Sequence, residues 1–369
     1  MKKVISFIKK EIVLTVSFIA AVISAFFVPP DAEYIGYIDF RVLCLLFCLM
    51  AVGRGLRGCG LFEVLSHKLL SGEKSLFSLV LALVMLPFFF SMLVTNDVAL
   101  ITFVPFTITA LSLTGKRGAL IPTVVLQTVA ANLGSMATPV GNPQNLFIYA
   151  RYGLSPADFF PVVLPIAAVS LVLLLLACLF LSRGAVSVKF DNTPRLNRSS
   201  FLVWAALFAL CILSVFKLIN YALLFAVIFL FLLIFARKIF LNIDYSLLLT
   251  FVCFFIFSGN LGRIPEVSGL LQSVVQKSAL FSSALASQLI SNVPAAVLLS
   301  GFTEDWRGLL AGVNVGGLGT PVASLASLIS LKLYLNSAEP KPLRFLLVFT
   351  AANIAGLALL LLLAAWLLG

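Results

Sequence analysis

Residues 132–140 read Asn132-Leu133-Gly134-Ser135-Met136-Ala137-Thr138-Pro139-Val140, between two apolar runs where an unbroken membrane helix would otherwise continue. Gly frees the backbone, and Pro removes a donor and clashes with the preceding turn, so this density of both opens a helix. The skeleton returns at 314–322 as Asn314-Val315-Gly316-Gly317-Leu318-Gly319-Thr320-Pro321-Val322, again Asn-x-Gly-x-x-x-Thr-Pro-Val. Inside hydrocarbon an opened backbone persists only where protein or a wet cavity satisfies its N–H and C=O groups. A matched pair of broken membrane helices in the two halves of a chain points to a transporter's binding site.

Composition agrees with that reading. Of the 369 residues 62% are hydrophobic and 11% charged, with a mean hydropathy of +1.15. These values fit an all-α polytopic membrane protein and not a soluble domain. The net charge of +11 does not indicate nucleic acid, because the basic residues lie in loops between apolar runs. The six cysteines lie in or beside apolar runs without a C-x-x-C pair and read as small core residues.

Basic loops set the expected layout. Lys2, Lys3, Lys9 and Lys10 precede the run Ile12 to Val28, which is too long for a signal-peptide core and lacks a small-residue cleavage site. Residues 1–35 therefore read as a retained transmembrane helix with a cytoplasmic N-terminus. Residues 36–182 form repeat 1: a scaffold helix, a hairpin over 75–115 broken at Thr95-Asn96-Asp97, a broken helix over 118–152, and a closing helix. A polar linker over 183–199 is placed in the cytoplasm, and two scaffold helices fill 200–242. Residues 243–369 form repeat 2: a scaffold helix, a hairpin over 278–303 broken at Ser291-Asn292-Val293-Pro294, a broken helix over 308–336, and a closing helix. This layout puts most Lys and Arg on one side, the cytoplasmic face of a prokaryotic inner membrane.

The halves share landmarks in register. Ile38-Asp39-Phe40 is echoed by Ile243-Asp244-Tyr245, Thr95-Asn96 by Ser291-Asn292, and Asn142 and Asn145 by Ser324 and Ser327. If neither hairpin makes a net crossing, the second half enters the membrane from the opposite side, an inverted repeat. The arms Ser278 to Ile290 and Ala295 to Phe302 would be roughly 20 Å and 12 Å long, too short for a hydrocarbon core of about 30 Å. The expectation is two re-entrant hairpins and two broken helices; the longer first hairpin also allows two full spans meeting at a wet tip.

Such a centre has a definite chemistry. Helix N-termini aim N–H groups and positive dipole ends inward, and unwound carbonyls offer oxygens to a small cation. The candidate substrate- and ion-binding set is Thr95, Asn96, Asp97, Asn132, Thr138, Pro139, Gly141, Asn142, Asn145, Ser291, Asn292, Asn314, Gly319, Thr320, Pro321 and Ser324. Na⁺ sites are expected near Thr95, Asn96, Asp97 and Gly141, and near Ser291, Asn292, Gly319 and Thr320. The set holds no nucleophile–base pair and no His/Cys cluster, which argues against an enzyme and against a cofactor beyond a coupling ion, Na⁺ or H⁺. Plainer readings stand beside these. Asn and Ser also glue membrane helices together, Thr-Pro-Val also makes kinks, and Asp39 and Asp244 stand where helix caps belong. His67 reads as a solvated loop residue, and Arg41 and Arg151 as snorkelling groups.

Thr95-Asn96 and Ser291-Asn292 at paired tips, each followed by a Gly-rich break with Thr-Pro, resemble the ion transporter superfamily. That grouping includes divalent anion/sodium symporters, citrate-type carriers, arsenite permeases and sodium/proton antiporters. The resemblance covers essentially the whole chain. It implies an elevator-type transporter, a homodimer in the lipid bilayer, whose tips bind substrate and coupling ion. The carboxylate-transporting branch has a hydroxyl at the third tip position, where this chain has Asp97 and Val293; Asn96-Asp97 is closer to the arsenite-permease-like branch. The leading expectation is a symporter of a small anion, carboxylate or inorganic oxyanion. The alternatives are a sodium/proton antiporter, an arsenite-type efflux permease of the same fold, or a channel.

Overall fold

A computed structural model describes residues 11–181, 184–188 and 194–369. The basic residues on which the N-terminal orientation rests, Lys2, Lys3, Lys9 and Lys10, lie outside the described residues, as do Arg183 and Lys189 of the linker.

The chain begins with α1 (Ile12–Phe27), the short α2 (Glu33–Tyr37), α3 (Phe40–Gly58) and α4 (Leu61–Leu70). Strand β1 (Gly72–Ser75) leads into α5 (Leu76–Phe90) and α6 (Asn96–Leu113), which form hairpin 1. A 3-10 turn opens α7 (Leu120–Ser135); the first break follows, then α8 (Pro143–Arg151) and the long α9 (Pro156–Leu181). Strand β2 (Ala185–Val188) precedes α10 (Arg198–Val215), α11 (Tyr221–Phe235) and α12 (Arg237–Phe240). The second half comprises α13 (Tyr245–Gly262), α14 (Pro265–Lys277), and α15 (Ala279–Ile290) with α16 (Asn292–Leu299) as hairpin 2. It ends with α17 (Trp306–Val315), the second break, α18 (Leu325–Leu335) and α19 (Pro342–Leu368). Among the described residues six helices are long and apolar enough to cross a membrane, or seven if α3 and α4, bent by 52°, count as one span.

The loops gather into two sets. One contains Lys116: β1 pairs antiparallel with β2, Leu76 N donates to Gly184 O at 2.8 Å, Asn197 N to Cys59 O at 3.0 Å, and Arg117 pairs with Glu339 at 2.5 Å. The other contains Glu304: Tyr152 Oη donates to Thr303 O at 2.8 Å, and a cavity joins Lys277–Phe281, Thr303–Asp305 and the last residues of α19. Both ends of hairpin 1 lie with the Lys116 set, and both ends of hairpin 2 with the Glu304 set, so the hairpins enter from opposite ends.

The structure moves several boundaries. Helix α3 runs through Arg54 and Arg57 to Gly58, and the Trp204 ring lies against Gly55, where a Cβ would project. The β1–β2 ladder is a small exception to an all-helical chain; alternate β-branched residues in the linker suit a strand. Hairpin 2 turns on the single residue Ser291, so its second arm begins at Asn292 and not at Ala295. Pro294 then falls in the first turn, where its missing N–H has no helical partner to lose. Hairpin 1 breaks earlier than expected, over 91–95, which places Asp97 inside the first turn of α6.

Pro87 also shapes hairpin 1. It cannot donate to the carbonyl four residues back, and that carbonyl, on Leu83, accepts from Gln127 Nε2 of α7 at 2.8 Å. The helix defect thereby becomes a tie between the hairpin and the broken helix.

Candidate functional site

The two breaks are built alike. Gly134 packs on the backbone of hairpin 1, where a Cβ would collide with Phe88 O. Its counterpart Gly316 packs on hairpin 2, where a Cβ would stand 2.8 Å from Ala284 Cα. Each break then returns a threonine to its own hairpin: Thr138 Oγ1 donates to Met92 O at 2.5 Å, and Thr320 Oγ1 to Gln288 O at 3.1 Å. Asn142 and Ser324 occupy the N-cap positions of α8 and α18. Asn142 Oδ1 accepts from Asn145 N at 2.9 Å, and Pro143 at the first helical position loses no bond.

At the centre the halves hold each other reciprocally. Asn314 Oδ1 accepts from Asn142 Nδ2 at 3.0 Å, and Asn314 Nδ2 donates to Asn145 Oδ1 at 2.6 Å. In the opposite sense, Asn132 Oδ1 accepts from Ser324 Oγ at 3.0 Å, and Asn132 Nδ2 reaches Ser327 Oγ at 3.4 Å. The leading Asn of each break thus bonds the paired trailing residues of the other. All six side chains are buried, so each amide left unpaired would cost about 1–3 kcal/mol.

Hairpin 1 joins this network at its tip. Asn96 Nδ2 donates to Asn132 Oδ1 at 3.0 Å, Asn96 Oδ1 accepts from Asp97 N at 3.0 Å, and Asn96 N donates to Gly141 O at 3.3 Å. Beside the tip lies a cavity of about 110 Å³, lined among others by Arg54, Thr95, Asp97, Asn142, Pro143 and Asp244. The partly buried Asp97 carboxylate accepts no hydrogen bond from any described residue, so it is not a helix cap. Asp39 and Asp244 are caps, accepting from Val42 N and Leu247 N, each at 3.0 Å. Asp244 serves twice, as cap and as cavity wall.

Hairpin 2 is arranged differently. Asn292 Oδ1 accepts from Val293 N at 2.9 Å, as Asn96 does from Asp97, and its amide lies against Gly317. Ser291 has φ +75° and ψ 154°, a region nearly closed to any residue with a side chain, and its Oγ reaches Ala323 O at 3.4 Å. The residues of the second expected ion cluster differ in exposure: Ser291 and Asn292 are buried and Thr320 is not. Gly319, with φ +102°, and Thr320 are held by Gln288, and Thr320 is exposed and Pro321 half-exposed. In the first copy Thr95, Asn96, Asp97, Thr138, Gly141, Asn142 and Asn145 come together around the tip and its break, and Pro139 is buried within that break.

Sequence reasoning missed four residues here. Gln288 Nε2 donates to Gly316 O at 2.7 Å and Leu318 O at 3.0 Å, while its Oε1 accepts from Thr320 N at 2.9 Å. Its signal was an amide alone in an apolar arm. Gln127 had the same signal. Arg54, one of several basic residues in its stretch of sequence, lies within α3 on the cavity wall. Ser327 was matched to Asn145 in the repeat but not placed in the site.

A profile of the citrate transporter family matches residues 3–303. The chain belongs to the citrate transporter family. The matched region holds both hairpins and the first break. An uncharacterized transporter of Methanocaldococcus jannaschii is 31% identical over 317 residues, 86% of each chain. The inner membrane protein YbiR of Escherichia coli is 32% identical over 324 residues, 84% of each chain. The silicon efflux transporter LSI3 of Oryza sativa is 33% identical over 156 residues, 41% of this chain and 32% of that one. As a family member of the ion transporter superfamily kind, this chain is a multi-pass membrane protein with a transport role.

Proposed function

We propose that this chain is a secondary active transporter that carries a small anion, a carboxylate or an inorganic oxyanion, coupled to Na⁺ or H⁺. The observation that carries the reading is the reciprocal bonding of the two breaks, Asn314 to Asn142 and Asn145, and Asn132 to Ser324 and Ser327. Together with hairpins that enter from opposite ends, it supports an inverted repeat around a fixed centre. Neutral amides and hydroxyls at helix N-termini suit an anion, and the broken-helix carbonyls suit a cation. Arg54 at the cavity wall favours an anionic occupant, and Asp97 at the tip serves the coupling ion. The fuller picture is an elevator-type homodimer in a prokaryotic inner membrane, with the N-terminus and the Lys116 end in the cytoplasm.

A second reading has its own support. The unbonded carboxylate of Asp97 on the cavity suits proton exchange, as in an efflux permease or antiporter, and the rice relative is named for efflux. Screening carboxylates and inorganic oxyanions for thermal stabilisation, with and without Na⁺, finds the occupant, because binding raises apparent stability. Counterflow in proteoliposomes then tests transport. Saturable counterflow of a stabilising anion is the expected result. Na⁺/H⁺ exchange without any anion would select the antiporter, and an unsaturable conductance would select a channel.

A further inference from the structure

At the Lys116 end, away from the substrate site, a pocket of about 120 Å³ opens between the base of hairpin 1 and the turn from α18 to α19. Its polar wall carries Arg117, Lys341 and Arg344, with Glu339 as the only carboxylate. Glu339 holds Arg117 at the exposed rim, so positive charge remains in excess.

We propose that this pocket binds the phosphate of an anionic phospholipid headgroup, clamping hairpin 1 to the start of α19. Three further observations support it. Lys341 is the N-cap of α19 and Arg344 lies in its first turn, with no acidic residue there and no side-chain cap. Basic side chains at a helix N-terminus oppose the macrodipole, and an anion seated among them reverses that cost. Ser337 lines the pocket and its buried hydroxyl has no partner among the described residues, a donor that rotation about its Cα–Cβ bond would offer to a phosphate oxygen. Below the pocket Leu343 and Leu347, 72% and 64% exposed, form one stripe down α19 along which an acyl chain can lie. A basic pocket between membrane helices at the water interface is a recognised way to hold lipid headgroups. A soluble phosphate would fill the same donors but has no use for the leucine stripe.

The test uses the full chain in nanodiscs of phosphatidylcholine, alone or with phosphatidylglycerol, compared by thermal stability and by lipids retained in native mass spectrometry. Phosphatidylglycerol is expected to stabilise the wild type and to be retained. The double variant Lys341→Gln/Arg344→Gln should weaken retention by roughly tenfold or more. Both substituted side chains are exposed, so the fold should persist in phosphatidylcholine. Arg117→Gln should weaken retention from the hairpin side, and Lys332→Gln, off the pocket, should not. Inorganic phosphate in phosphatidylcholine discs is expected to do nothing; stabilisation by it that the double variant abolishes would overturn the lipid assignment in favour of a soluble phosphate. Equal preference for phosphatidylglycerol in wild type and double variant would overturn the site itself.

Discussion

From Asn132 to Asn145 every residue but Thr138 is buried, whereas in the second copy Thr320 and Val322 stand at the surface. The same skeleton is held from different places. In the first break Asn145 of the following helix donates to Met136 O and Thr138 O, each at 3.0 Å. In the second, position 327 is Ser, too short to do this, and Gln288 of the preceding hairpin covers Gly316 O and Leu318 O instead. Break 1 is thus fastened to α8 as well as to its own hairpin, whereas Gln288 fastens break 2 to its own hairpin. The tips differ in kind as well. Tip 1 carries a carboxyl group, Asp97, with ordinary backbone at Thr95 (φ −59°); tip 2 has Val293 in that place and strained backbone at Ser291 (φ +75°). The two copies thus share a skeleton and differ at the tip: a carboxyl group on one, strained backbone on the other.

The largest effect should come from closing the backbone approaches. Gly134→Ala drives a Cβ into Phe88 O and should prevent stable folding, costing more than about 3 kcal/mol. Gly316→Ala meets Ala284 Cα and should cost about 1–3 kcal/mol. Gly118→Ala, with open space around it, should change little. Thermal unfolding of the three in detergent ranks them; equal melting temperatures would show that the breaks do not pack on their hairpins.

Asn96→Ala and Asn292→Ala come next. Asn96→Ala removes a donor from Asn132 and should cost about 1–3 kcal/mol, leaving the chain folded while uptake is lost. Asn292→Ala should lose uptake to a similar extent with less destabilisation. Wild-type uptake by either variant removes that tip from the site.

Smaller and opposite effects are expected around tip 2. Gln288→Ala unfastens three backbone groups of the exposed break and should lower stability by about 1–3 kcal/mol. Ser291→Gly relieves strained backbone and should raise stability by about 1 kcal/mol, after allowing for the entropy that Gly loses on folding. A destabilised Ser291→Gly would mean that its hydroxyl contact with Ala323 outweighs the strain.

How much of this the sequence made legible follows from the range of each interaction. Gly, Pro and Thr-Pro-Val act on their own backbone, so the breaks were visible, and the matching Asn positions announced a shared centre. The reciprocal bonds join residues about 170 to 195 apart, and no local pattern encodes that pairing. Gln288 and Gln127 were invisible as clamps because their partners are backbone carbonyls, which any residue supplies. The exposure of Thr320 was hidden for the same reason, since it depends on packing and not on the Thr-Pro-Val that contains it.

The smallest expected effect lies at the Glu304 end, outside both tips. Arg263 pairs with Asp31 at 2.7 Å and holds its carboxyl below the usual carboxylate range. A depressed folded-state pKa contributes stability above the unfolded value near about 3.9, which is lost as pH falls through the folded one. Wild type and Arg263→Gln should differ slightly in melting temperature at pH 6 and converge in strong acid. A constant gap across that range would remove the titration from the contact.

The contrast between the tips comes down to Asp97. The Asp97→Asn variant is nearly isosteric and replaces the ionisable carboxyl with a neutral amide. We expect it to fold and to retain substrate binding, because the Asn96–Asn132 and Asn314–Asn142 bonds do not involve position 97. The measurement is uptake into proteoliposomes under an imposed Na⁺ or H⁺ gradient, beside substrate binding on the same preparation. The account predicts intact binding with transport no longer responsive to either gradient. Gradient-driven accumulation equal to wild type would contradict it, and coupling would then belong to the neutral ligands that both tips share.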